Sequence, residues 1–592
     1  MIDVRERVVV LDASAPADRE VLGNKGLSIV RMTGLGLPVP PAFALPIDEC
    51  RRFRAAGGRL DDEVWRAVLD GLAGLEERTG RRLGDPEAPL LVSVRSGAAV
   101  SMPGMMDTIL NLGMTDEVAA GLARLSGDPE FARTTHVRFV HEFGRTVLGA
   151  DLDEPTGDTT AGAVREAVRR DMGEDVPADP HAQLRGAIHA VFGSWSSRRA
   201  RAYRKHWGLT DDGGTAVIVQ AMVFGNLGGD SGTGVLFTRD PLSGSRDSYG
   251  EWLPRGQGED VVSGTHDPLP LSALRDQLPD AHGRLIDAAE LLEREHGDVQ
   301  DIEFTVERGS LYLLQTRAAK RSPLAAVRIA VDLVHEGVID RDEALRRVSV
   351  DQVASVLAPR LSEAVTAEAQ VVARGTPACP GVASGRAVPE SDTAETASGD
   401  CVLVRPTTSP EDVAGMIAAT AVVTEKGGST SHAAVVTRAL GRPSVVGVGD
   451  GVAVALAGTE LTVDGTSGVV YSGRLATEEV HTSEVPGLDE LLDWARRASP
   501  VQVVDAAPDM LELDAQGVGF DAEGAPDVER LAERLRGAPA AAGSVLAADA
   551  GARALLVAGV KTVVRQAGQP EPVLLLRIVQ AMSQIEKEEN SP

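Results

Sequence analysis

Short apolar runs broken by glycine, proline and charge fill the first hundred or so residues, as in "GLGLPVPPAFAL" and "APLLVSVRSGAAVSMPG". Runs of this kind predict strands between turns in an α/β unit. Over residues 115–210 apolar positions recur at helical spacing among many arginines, as in "HAQLRGAIHAVFGSWSSRRARAYRKHWG", which predicts a mainly helical insertion. Strand-like runs return over residues 215–320 in "TAVIVQAMVFG", "GTGVLFTR" and "SLYLLQTR". From Ser322 to about Arg374 the pattern is helical and charged, without a long glycine-rich loop, and predicts a semi-rigid connector. Residues 375–474 set β-runs ("CVLVRP", "AVVTEKGG", "PSVVGVG", "TELTVDGTSGVVYSG") around one helix that begins at His432. A charged spacer, "RLATEEVHTSEVPG", leads to a tail rich in alanine and acidic residues, where the pattern is weak. The segments predicted are 1–320, 321–374, 375–474 and 475–592.

Length fits this division, because 592 residues exceed what one hydrophobic core organises. No apolar run reaches about 18 residues, which argues against a membrane span. The N-terminal stretch is charged throughout and lacks a secretory core, so a cytoplasmic protein is expected. Cys50, Cys379 and Cys401 are far apart and form no CxxC pair, which speaks against a disulfide framework or a zinc site. A net charge of −28 and an aromatic content of 3% argue against nucleic acid as a partner. An anionic substrate must then find a local basic pocket. Almost every cation is arginine, so the few lysines stand out.

In "TEKGGSTSHAAVVTRALGRPSVVGVGDG", residues 424–451, Gly427 and Gly428 permit a tight turn with free backbone N–H groups. Ser429, Thr430 and Ser431 are suited to cap the following helix. His432 is thus predicted at a helix N-terminus, where an anion is favoured and a neutral imidazole can accept a phosphoryl group. A structural histidine in a capping loop fits the same spacing. Near the start, Lys25 lies between glycines just before a predicted helix, a point cation beside N–H groups, or else a plain surface lysine. Arg95 is predicted at a strand end, ahead of a Gly/Ser/Met loop whose methionines equally suit core packing. The stretch "GNLGGDSGTGVLFTRDPLSG" contains Gly232, Thr233 and Gly234 and reads as a loop over phosphates or as a β-hairpin; it has no Walker GK[ST]. Asp301 and Glu303 alternate along a strand onto one face, as metal-ligating carboxylates do, and Gln315 and Arg317 do so on the next. Two solvent-facing pairs on an edge hairpin would look the same.

The stretch "GGSTSHAAVVTRALGRPSVVG" closely resembles the phosphohistidine signature of the phosphoenolpyruvate-utilising enzymes. Its Thr-Ser-His form looks more like the pyruvate phosphate dikinase family than the synthases. "SMPGMMDT", "FGNLGGDSGTGV" and "QDIEFTVERGSLYLLQTR" are close to that family's wording in the same order. The resemblance runs from about residue 20 to about residue 475. It implies an α/β multidomain chain: an ATP-grasp nucleotide-binding domain over 1–320, a helical connector over 321–374, and a swivelling β/β/α phosphohistidine domain over 375–474. It also implies ATP and Mg²⁺ as cofactors and orthophosphate as a further substrate. By that likeness Lys25, Arg95, Gln220, Gly232, Thr233, Gly234, Glu251, Gln315 and Arg317 would bind the nucleotide, with Gln220 near the adenine. Asp301 and Glu303 would hold the metal. His432 would carry the phosphoryl group, helped by Arg95, Arg317 and Thr430; the last stands where plant dikinases carry a regulatory phosphorylation site.

The family ends in a phosphoenolpyruvate- and pyruvate-binding barrel of about 250 residues, whereas about a hundred stand here after the spacer. Residues 475–592 are therefore expected to be a linker and a degenerate, truncated remnant of that barrel. "GVGFDAEG" puts Asp521 and Ala522 where the family has Cys-Arg, and "EPVLLLRIVQAMSQIEKEE" reads as a plain terminal helix rather than a remnant helix or a docking element. The expected function is phosphorylation of His432 from ATP and transfer to pyruvate or another acceptor, at a site on a separate acceptor-site protein; a homo-oligomer is compatible. The alternatives are a phosphohistidine kinase of another small molecule or protein, and a non-catalytic nucleotide-binding relic.

Overall fold

Helix starts along the chain are set by short oxygen-bearing side chains. Asp18, Asp61, Thr115, Asp128, Thr160 and Asp179 each accept a backbone N–H in the first turn of the helix that follows. The computed structural model describes residues 7–589 apart from 101, 103–104, 207–208, 263–267, 358–359, 410–411, 430, 441, 479, 514–526 and 566–569. It is a mixed α/β chain built around several sheets.

Two antiparallel five-stranded sheets make the first part. In order across the first are Val9–Val10, Ala42–Leu45, Thr215–Ala221, Val92–Ala98 and Thr108–Leu112. The second runs Leu269–Pro270, Tyr249–Pro254, Gly232–Phe237, Gln300–Glu307 and Ser310–Ala318. Helices from Asp116–Ser126 to Arg198–His206 are inserted between the last two strands of the first sheet in chain order, and their apolar faces close one core with that sheet. Helix Arg19–Gly34 contacts both sheets, through Val92–Ala98 in one and Ser310–Ala318 in the other. Gly23 breaks this helix with φ 66° and ψ 179°. A Cβ there would stand 1.8 Å from the Gly97 carbonyl oxygen, so only glycine permits this approach. Lys25 therefore sits inside the helix just past the break, not ahead of it as the spacing predicts.

The histidine-bearing part is an eight-stranded mixed sheet. Its strands Val382–Val388, Cys401–Arg405, Ala421–Thr424 and Ser444–Val446 are parallel neighbours. Parallel neighbours send their following loops to one edge, the usual location of sites in open α/β sheets. Residues 406–409 and 425–429 gather there, and helix His432–Leu440 follows the second loop.

The connector is not a free-standing spacer. Helices Pro323–His335, Arg341–Arg347 and Val350–Val356 share one core with Leu488–Ala498 and with Leu575, Leu576 and Val579 of helix Glu571–Glu589. The opposite side of that last helix, through Leu574, Ile578 and Ala581, closes a second core beneath a parallel four-stranded sheet. The expectation of a plain terminal helix is thus corrected: its apolar positions are shared between two cores. At the other end, buried Arg239 pairs with Glu293 (2.6 Å) and with Glu336 (2.6 Å), tying the connector to the second sheet. Asp521 and Ala522 lie outside the described residues. The three cysteines are free and buried. Among the described residues no helix is long and apolar enough to cross a membrane.

Candidate active site

A cavity of about 1110 Å³ opens between the two five-stranded sheets and reaches the histidine-bearing edge. From the first sheet and the helix beside it come Lys25, Arg95 and Gln220; from the second come Thr233, Gly234, Glu303, Gln315 and Arg317. The histidine-bearing edge contributes Thr407, Thr408, Ser409 and His432. One wall is apolar, with Met102, Met106, Leu110 and Met222. The loop methionines thus serve partly as wall, while Met105 is buried in the core.

Charge is concentrated where the sheets face each other. Arg95 lies in the middle of strand Val92–Ala98, not at its end, and its guanidinium reaches Glu303 at 3.4 Å. Asp301 opposes Arg317 in the strand register, and the two pair at 2.7 Å. Burial would raise the Glu303 carboxyl, but Arg95, Arg317 and Lys25 outweigh it and hold it below the usual range. The Arg317 guanidinium is held firmly charged by Asp301. Lys25 is pushed down to about 7, first by loss of hydration and then by Arg95 and Arg317, with Glu303 opposing. An anion entering the cavity would restore its charge.

His432 is neutral at physiological pH, because burial lowers its pKa against the opposing pull of Asp412. Its Nδ1 lies 3.3 Å from the Thr408 hydroxyl, whereas its Nε2 is buried with no hydrogen-bond partner among the described residues. The loop carrying Thr408 is fixed by Asp412, which accepts from the Ser409 N–H (2.8 Å) and pairs with Arg405 (3.2 Å). Gln315 Oε1 is likewise buried without a donor among the described residues. Two unsatisfied polar atoms in one cavity are costly and fit a site that awaits a ligand.

Some expected residues fall elsewhere. Glu251 is not in the cavity lining; its Oε1 accepts from the Ser429 N–H (3.1 Å) and hydroxyl (2.7 Å) on the histidine loop. The Tyr249 hydroxyl donates to Ser429 Oγ at 2.6 Å, so two side chains of one strand of the second sheet hold the loop at Ser429. Gly428 makes room for this contact: a Cβ there would stand 2.7 Å from the Glu251 carboxylate. Gly232 is also absent from the lining, since it is a strand residue under the Trp252 ring, which a Cβ would meet at 2.2 Å. Thr233 and Gly234 belong to the same strand rather than to a loop. Asp301 sits behind Arg317, outside the lining. Among the described residues no group of three or more His, Cys, Asp or Glu could hold a metal. Mg²⁺ takes one or two carboxylates and fills its shell with phosphate oxygens and water, and Glu303 offers a carboxylate on the cavity wall. Thr430 lies outside the described residues.

Two family descriptions match the chain. "Pyruvate phosphate dikinase, AMP/ATP-binding domain" covers residues 57–279, and "PEP-utilising enzyme, mobile domain" covers residues 397–468. Over these two ranges the chain is similar to the nucleotide-binding domain described for pyruvate phosphate dikinase and to the mobile domain described for PEP-utilising enzymes. Pyruvate, phosphate dikinase from Clostridium symbiosum is 39% identical over 546 residues, 85% of this chain and 62% of that protein. Pyruvate, phosphate dikinase 2 from Zea mays is 46% identical over 455 residues, 72% of this chain and 51% of its own length. The chain therefore spans 51% to 62% of these two relatives. Lys25 and the hairpin bearing Glu303, Gln315 and Arg317 lie outside the first matched range, yet they line one cavity with Arg95 and Gln220 inside it. His432, inside the second matched range, lines that same cavity.

Proposed function

We propose that this chain forms the phosphohistidine of a pyruvate phosphate dikinase reaction. ATP binds in an ATP-grasp-type clasp between the two antiparallel sheets, with its base toward the methionine wall and Gln220, and its phosphates among Lys25, Arg95 and Arg317. The observation that carries this reading is the unpaired Nε2 of His432 opening on the same cavity as those three cations. Catalysis of phosphoryl transfer is mostly positioning and charge stabilisation, and both are provided here.

Thr408 at Nδ1 leaves the Nε2 lone pair free for in-line attack on the β-phosphorus. The new bond is Nε2–P, and AMP leaves with the electrons of the α–β bridge. Orthophosphate then takes the γ-phosphoryl group, giving pyrophosphate and a monophosphorylated His432. Mg²⁺ held by Glu303, with Asp301 beside it, would neutralise the phosphate oxygens. Neutral His432 needs no general base, because an imidazole already carries a lone pair at physiological pH. Docking is secured by Glu251 and Tyr249 on Ser429; release of that contact lets the mobile domain swing on the segments flanking it. The phosphoryl group then goes to pyruvate or another acceptor, at a site on a separate acceptor-site protein.

The test is product balance with purified protein. One AMP per chain should appear on mixing with MgATP, and pyrophosphate should follow only when phosphate is added. Phosphoenolpyruvate made from pyruvate by the purified chain alone would overturn the placement of the acceptor site. Absence of any AMP would overturn the reaction itself.

A further inference from the structure

Asp412 is a buried carboxylate, 3% exposed, that the reaction described above does not use. It follows strand Cys401–Arg405 by one short loop, the loop that carries Thr408. Burying a carboxylate is costly unless its oxygens are paired. Here Oδ1 meets the Arg405 guanidinium at 3.2 Å, and Oδ2 accepts from the Ser409 N–H at 2.8 Å and its hydroxyl at 3.2 Å. The Asp412 N–H donates in turn to the Ser409 carbonyl at 3.0 Å. Ser409 is thus held from both sides, and Thr408 beside it sets its hydroxyl 3.3 Å from Nδ1 of His432.

These residues all belong to the eight-stranded sheet and its edge. The Glu425 N–H donates to the Arg405 carbonyl and the Lys426 N–H to the Pro406 carbonyl, both at 3.0 Å. The Thr408 loop and the loop before His432 are therefore fastened together at their bases. Lys25, Arg95 and Arg317, by contrast, come from the two five-stranded sheets and the helix beside them. They stay behind when the histidine-bearing sheet departs, whereas Asp412 travels with His432. Its charge also has the sense the chemistry needs. Burial lowers the basicity of His432, and the Asp412 carboxylate opposes that loss.

We propose that Asp412 is the positioning residue of His432. Through Ser409 and Thr408 it fixes the ring with its proton on Nδ1, and its charge stabilises the phosphorylated ring before and after the sheet moves. Attack on phosphorus forms the Nε2–P bond and leaves that proton in place, so the ring becomes a cation facing a fixed negative charge. When the phosphoryl group passes on, the Nε2–P bond breaks, its electron pair returns to Nε2, and the ring is neutral again. The Nδ1 proton never leaves. This rests on the reading of the reaction given above.

The experiment uses the full chain with Asp412→Asn and with the double variant Asp412→Asn/Arg405→Gln, in which a neutral amide pair replaces the ion pair. Rapid-quench phosphorylation of His432 should slow by roughly 10- to 100-fold in both, the range in which the outer partner of a working histidine acts. The dissociation constant for MgATP should stay within about twofold. Titration of ¹⁵N-labelled protein should show His432 less basic in both variants than in the wild type, with the Nδ1–H tautomer less populated. A merely structural ion pair gives a different outcome: rate and ring shifts both return to wild-type values in the double variant, and that result would overturn the proposal. Ring shifts that do not move in Asp412→Asn would overturn it as well. If the wild type forms no phosphohistidine while the ring shifts move as stated, the positioning of His432 is supported and only the reaction is refuted.

Discussion

Replacing Ser429 with alanine should separate docking of the mobile domain from binding of nucleotide. The Ser429 hydroxyl donates to the Glu251 carboxylate at 2.7 Å and accepts from Tyr249 at 2.6 Å. A hydrogen bond to a charged group is worth about 1.5–3 kcal/mol and a neutral one about 0.5–1.5 kcal/mol. The backbone N–H at 3.1 Å remains, so the net loss is about 2–4 kcal/mol, or roughly 30- to 700-fold in the docking equilibrium. If docking starts favoured about 100:1, the docked fraction falls to between about four-fifths and one-eighth. If docking starts unfavourable, the whole factor appears in the rate. Rapid-quench measurement of His432 phosphorylation gives the rate, and spin labels on the two domains give the docked fraction directly. Nucleotide affinity should not move in Ser429→Ala or in Glu251→Gln. A loss of nucleotide affinity matching the loss of rate would refute this placement and return Glu251 to the nucleotide site.

Further outcomes follow from the same geometry. Lys25 in the free protein titrates near 7 and is charged below it, and a bound polyphosphate raises its pKa. ATP affinity should therefore be flat below pH 7 and fall by up to about tenfold per unit above it, a slope that Lys25→Met should remove; titration calorimetry across pH 6–9 reads both. Thr408→Val should slow phosphorylation of His432 by roughly 2- to 10-fold and shift its tautomer balance, seen in ¹⁵N ring shifts, without altering ATP binding. Leu576→Ala should destabilise the core shared by connector and tail by about 2–5 kcal/mol in denaturant unfolding, an effect that a tail packed apart from the connector would not give.

Much of the site could be read from the chain because strand alternation puts ligands two residues apart. Glu303, Gln315 and Arg317 do line one cavity with Lys25 and Arg95. Alternation says which face a residue takes and not whether a neighbouring arginine covers it, as Arg317 covers Asp301. The contact of Glu251 with Ser429 had no local signal, because the two are 178 residues apart. Thr408 lacked a signal, because a threonine after a strand is an ordinary turn residue until His432 is folded against it. In the tail, Ala540–Ala542 is a strand of three alanines, too short and too uniform to show a period. Helix Glu571–Glu589 was read correctly as a helix, but apolar residues on two sides blurred the face that would have announced its two cores.

Position-specific labelling of ATP tests the central claim most directly. Protein incubated with β-labelled or γ-labelled MgATP and phosphate should retain label from the β position only, acid-labile and base-stable, on the peptide containing His432. The γ-label should leave as pyrophosphate, and His432→Ala should retain none. Acid-labile label persisting in His432→Ala, or label retained on another residue, would contradict the account.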